Sequence, residues 1–176
     1  MASADGTTLT LAPPSGDPLR LRFQPAGLGQ PQGEASAEAI PSAWIVDGEV
    51  DWSEVASLGL LSAVFEDGRE LAIATVRPRG AEGHDAETIS SHLTEEGEHV
   101  EIAETLVSVE YDAAGLPRRL GVELWIDPGS PPLRVAADRA GEAASTGEDP
   151  RREVTPITLR LEGVAGAGLY EVLRGT

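Results

Sequence analysis

The chain has 176 residues, with 13 basic against 30 acidic side chains, a formal net charge of −17 and no cysteine. That length suits one domain, 1–176, able to bury roughly 70% of its unfolded surface without staples. The missing cysteine removes disulfides, thiolate nucleophiles and Cys-ligated metal centres, and the missing lysine removes Schiff-base chemistry. So acidic a chain argues against nucleic acid and against an anionic membrane as partners, since Arg118-Arg119 is only a pair.

Thr7 to Ala12 and Pro18 to Phe23 predict an opening hairpin. Leu19, Leu21 and Phe23 share one face, with Arg20 and Arg22 pointing outward. Residues 25–41 are too rich in Pro, Gly and small side chains for regular structure and predict a mobile loop. Trp44-Ile-Val ahead of Asp47-Gly48 reads as a strand running into a turn. Asp51 to Val55 then offers a short helix with Ser53 as its cap.

Leu58 to Phe65 and Leu71 to Val76 are apolar on both alternating faces. Strands of that kind have to be covered on both sides, so the pair is expected to be central, joined through the Asp67-Gly68 turn. Pro78 to Ala86 reads as a loop, and Glu87 to Thr94 as an edge strand. After the Glu95-Glu96-Gly97 turn, His99 to Ala103 places Val100 and Ile102 inward.

Thr105 to Asp127 is the clearest hairpin, two period-two strands around a Gly115-Leu116-Pro117 turn. Its second strand sets an aliphatic face, Leu120, Val122, Leu124 and Ile126, against a mixed face carrying Glu123, Trp125 and Asp127. Pro131 to Val135 predicts a short strand, 138–152 a second mobile loop, and Pro156 to Leu161 and Gly168 to Arg174 two closing strands. About eight to ten hairpin-linked strands with little helix predict an all-β, antiparallel barrel, with a β-sandwich as the alternative.

Chemistry is sparsely signalled. No G-x-S-x-G, phosphate-binding loop, H-E-x-x-H or dinucleotide fingerprint occurs. His84, His92 and His99 match no metal-ligand spacing, so no metal or cofactor is expected. His92 and His99 flank a turn, however, and pairing of their strands would bring the imidazoles together. Among few aromatics, Trp125 stands out. If the mixed face turned inward it would wall a cavity beside polar groups.

LSAVFEDGRELAIATVRPRG (Leu61 to Gly80), VSVEYDAAGLPRRLGVEL (Val107 to Leu124) and YEVLR (Tyr170 to Arg174) resemble one half of the lipocalin-like superfamily that includes carotenoid 1,2-hydratases and AttH-type proteins. The shared texture is a strand, an acidic Asp-Gly turn and a strand, then the Tyr-Asp to Gly-Leu-Pro hairpin and a terminal Tyr-Glu strand. Members of that group often carry a His-Ser-Trp-Gly…Arg-Asp-Trp-like element. Here SAWIVDGEVDWSEV keeps only Trp44 and the Asp51-Trp52 pair.

The resemblance implies a barrel holding a small, apolar, isoprenoid- or polyketide-like molecule. Acid-assisted hydration or cyclisation would need a protonated carboxyl in an apolar cavity. The weak catalytic candidate is Asp51, and the ligand-binding candidates are Trp44, Trp52, Tyr111 and Trp125. The alternative is a non-catalytic β-domain acting as an interaction or accessory module, which leaves a homodimer open. Met1 is followed by no cationic start or apolar run, and no stretch is long and apolar enough to span a bilayer. The expectation is a soluble cytoplasmic protein.

Overall fold

The computed structural model describes residues 7–13, 17–23, 44–83 and 87–176, and among these no helix forms. Three short strands, β1 (Thr7–Leu11), β2 (Leu19–Phe23) and β3 (Trp44–Asp47), make a small antiparallel sheet. The others form one large sheet: β4 (Val55–Phe65), β5 (Glu70–Pro78), β6 (Thr88–Glu95), β7 (Glu98–Val100), β8 (Glu104–Tyr111), β9 (Pro117–Trp125), β10 (Leu133–Arg139), β11 (Ala144–Thr146), β12 (Arg151–Leu161) and β13 (Val164–Arg174).

The order is β7-β6-β5-β4-β13-β12-β10-β9-β8, with β11 on the edge of β12. Every pairing is antiparallel, as hairpin connections require. The sheet curls strongly, so that β6 returns beside β8. Ser91 Oγ and Thr105 Oγ1 meet there at 2.6 Å. No backbone ladder joins those two strands, which leaves a half-barrel with a side-chain seam. An all-β, barrel-like antiparallel fold is therefore what forms.

Two apolar cores lie on the two faces of β4 and β5. The concave one contains Leu61, Phe65, Leu71, Ile73, Leu93, Leu124 and Leu161, all essentially buried. On the convex side Leu58, Leu60, Ala72, Ala74 and Val76 pack against Leu9, Leu11, Leu19, Leu21, Phe23 and Trp44 of the small sheet. The two-sided apolar pattern of β4 and β5 thus has its physical cause. One face fills the curl and the other is covered by β1–β3.

Several local expectations differ. Residues 51–55 form a turn rather than a helix, because the Asp51 carboxylate itself accepts bonds from Ser53 N at 3.0 Å and Ser53 Oγ at 2.6 Å. β6 lies between β5 and β7 instead of at an edge, although β7 covers only its Leu93–Glu95 end. The segment 138–152 carries the end of β10, all of β11 and the start of β12. Ser145 pairs there with Glu153, so small polar residues are drawn into a ladder by a neighbouring strand. The predicted loop 25–41 and His84 lie outside the described residues.

Candidate functional site

Inward-facing residues change character along each strand, in the same direction. On β4 the inward row runs Phe65, Ala63, Leu61, then Gly59 and Ser57, and on β5 Leu71 and Ile73 give way to Thr75 and Arg77. On β13, Tyr170 and Val172 lead to Arg174, and on β12, Ile157 and Thr155 lead to Glu153. β10 passes from Val135 to Arg139 and β8 from Val107 to Tyr111. Antiparallel register brings all these polar ends to one rim, while the aliphatic ends meet at the other. One end of the curl is packed solid and the other stays open.

The open end holds a cavity of about 520 Å³, lined by Val107, Val109 and Val172 on its apolar side and by Arg77, Tyr111 and Arg174 on its polar side. That volume falls within the usual range for small-molecule sites. Gly59 makes the room. A Cβ there would lie 2.5 Å from Thr75 Oγ1 and 3.2 Å from Tyr170 Oη, so the Tyr170 ring crosses a position where only glycine fits. Burial, then the neighbouring Tyr111 and Glu87, push the Tyr170 hydroxyl well above the ordinary tyrosine range. It stays protonated, and Tyr111 lines the same cavity.

Charges ring the opening. Arg77 pairs with Glu87 at 2.8 Å, and Arg139 with Asp112 at 2.8 Å. Arg174 and Arg151 share Glu153, at 2.5 and 3.3 Å. A second hollow of about 600 Å³ lies along the seam, between Ile89 and Ser91 of β6 and Thr105 and Val107 of β8. Glu87 and Val107 line both hollows, so the open end and the seam adjoin.

Of the residues singled out in the sequence, Tyr111 alone lines this cavity, where it is 47% exposed. Trp44 is buried in the convex core, 5.4 Å from the Phe23 ring. Trp52 packs at the edge of that same core and accepts a bond from Arg79 Nε through its carbonyl at 2.7 Å. Trp125 lies on the convex side, because Leu120, Val122 and Leu124 take the concave one, and it stands opposite Glu104 of β8. Asp51 is exposed, and the Ser53 hydrogen bonds hold its carboxyl below the ordinary range. A carboxylate held ionised in a surface turn is the opposite of the protonated acid that alkene chemistry needs.

Sequence reasoning passed over Arg77, Glu87, Tyr170 and Arg174. The available signal was positional. Arg77 and Arg174 each continue the inward alternation of a strand, two residues after Thr75 and Val172 respectively, at its polar end.

His92 and His99 do meet across β6 and β7, stacked with centroids 4.4 Å apart, on the convex side. Among the described residues no group of three or more His, Asp or Glu is arranged to hold a metal. No helix among them is long and apolar enough to cross a membrane. In comparison with known proteins, no family model matches the chain and no curated protein matches it.

Proposed function

We propose that this protein binds a small, largely apolar molecule in the open end of its curled sheet, in the manner of a lipocalin-like barrel. The supporting observation is the cavity itself, where valine walls meet tyrosine and arginine side chains above a packed aliphatic floor. Apolar walls can hold a ligand by burial while the polar groups among them fix its orientation. The resemblance to carotenoid-hydratase-like barrels suggests an isoprenoid- or polyketide-like ligand, met in the cytoplasm. The proposal is one of binding without an assigned reaction, because Asp51 lies outside the cavity.

The test is a thermal-shift and titration series with geraniol, β-ionone and decanol, on the natural chain and on Val109→Trp. The indole is sized to fill the opening, while Val109 is only partly buried, so the fold is expected to persist. Ligand-dependent stabilisation of the natural chain and its loss in Val109→Trp support the reading. No response to any probe, or an equal response in the filled variant, overturns it.

A second reading, an interaction module, draws on β8, whose edge facing the seam has no ladder partner among the described residues and whose Leu106 is 50% exposed. A concentration-dependent dimer that Leu106→Lys abolishes would favour that reading.

A further inference from the structure

We infer that the ligand carries an anionic head, a carboxylate, seated between Arg174 and the Tyr111 hydroxyl at the rim of the cavity. This rests on the binding reading above and names the chemical class of what is bound. Charge is the first indication. The whole chain has a formal charge of −17, yet the lining of this cavity carries two guanidinium groups, Arg77 and Arg174, against one carboxylate, Glu87. All basic side chains of the protein are arginines, and they number 13 against 30 acids. Local excess of cation in so acidic a molecule marks the rim as a place where a negative charge is missing.

Hydrogen-bond capacity sharpens this. Both Glu153 oxygens are taken, Oε2 by Arg174 and Oε1 by Arg151. Arg77 uses Nη1 on Glu87 and Nη2 on the Ala81 carbonyl. Arg174, by contrast, donates only through Nη1, to Glu153, among the described residues. A guanidinium has five N–H donors in a planar fork that matches a carboxylate, so Arg174 keeps a fork's worth of capacity while lining the cavity.

The Tyr111 hydroxyl lines the same cavity beside that of Tyr170. Tyr111 is 47% exposed there, so its hydroxyl is accessible to a ligand as a donor. Arg139, further round the rim, is balanced one-to-one by Asp112 and adds no excess. An apolar tail would then lie on Val107, Val109 and Val172.

Decanoate, decanol and decyltrimethylammonium share one tail and differ in the head, so titrating all three separates the head from the tail. Decanoate is expected to bind about tenfold more tightly than decanol, in line with one added charge-assisted pair, and the cation more weakly than either. Arg174→Gln should bring the decanoate-to-decanol ratio toward one. Glu153→Gln should raise it, because removing that carboxylate releases both arginines.

Thermal melts of both variants report folding, and the opposite direction of the two effects keeps the claim falsifiable if one variant unfolds. Equal affinities for decanoate and decanol overturn the anionic head and leave the cavity reading standing. A ratio that neither substitution moves does the same. No binding of any of the three overturns the cavity reading itself.

Discussion

The two ends of the curled sheet are made by the same strands under the same alternation, yet they do different work. At the packed end Phe65, Leu71, Leu93 and Leu161 bury almost completely, and Arg69 crosses the rim to Asp67 and Glu162 at 2.8 and 2.9 Å. At the open end the inward row ends in Ser57, Arg77 and Arg174, and the space they leave is a cavity. Aliphatic burial stabilises the fold at roughly 25 cal/mol per Å², whereas an unfilled polar rim contributes little. The difference teaches that this fold separates a packed core from open, polar-rimmed space along one axis. Substitutions should therefore have unequal effects depending on which end they touch.

The largest contrast is expected from truncating a leucine at the packed end. Leu161→Ala should cost about 2–5 kcal/mol in denaturant unfolding, and Val109→Ala at the open end about 1 kcal/mol or less. Equal losses would break the comparison. Next comes the seam. Ser91→Cys with Thr105→Cys, in a chain otherwise free of cysteine, is expected to form a disulfide where the two hydroxyls now stand 2.6 Å apart. Closing a loop of that length should add about 3 kcal/mol relative to the reduced form. If the seam is also a route into the cavity, decanol uptake should slow on oxidation and recover on reduction.

Gly59→Ala should be destabilising by about 1–3 kcal/mol, because Thr75 and Tyr170 have to move. Near-UV circular dichroism would show whether the Tyr170 ring is displaced, and no spectral change would argue against its crossing over Gly59. The smallest effect concerns the convex face. Burial, then the charge of His99, hold His92 below its ordinary 6.5, so the unfolded chain takes up that proton first. The contribution of neutral His92 is present above about pH 6.5 and is lost as the pH falls below it.

His92→Gln should flatten the acid side of a melting-temperature profile. An unchanged profile would remove His92 as its source. Glu70, near the pair across β5 and β6, has its carboxyl pushed up by burial and acts with the opposite sign at lower pH. The two contributions are therefore separable.

Legibility in the sequence followed the range of the interactions. The Thr105–Asp127 hairpin, the β4–β5 pair and the outward Arg20 and Arg22 were visible because alternation and turn residues act within a few positions. The His92–His99 approach was legible for the same reason, since a short turn fixes their register. The helix expected at 51–55 failed because Asp51, not Ser53, supplies the capping oxygen, a competition between two nearby polar side chains. β11 was missed because Ala144 to Thr146 pairs only by lying against β12. The cavity residues come from β4, β5, β8, β13 and Glu87 just before β6, and no local pattern joins them.

What the chain determined by itself was therefore its alternation: which residues face together along each strand, and that β4 and β5 need cover on both faces. Alternation leaves open which of two faces turns inward, and Trp125 shows it. Its strand offered an aliphatic and a mixed face, and only the direction of the curl put Leu120, Val122 and Leu124 inside. Tertiary structure likewise decided that Arg77, Tyr111, Tyr170 and Arg174 share one rim. The physical reason is that antiparallel register aligns strand ends that lie far apart in the chain, and only curling turns that aligned row into an enclosure.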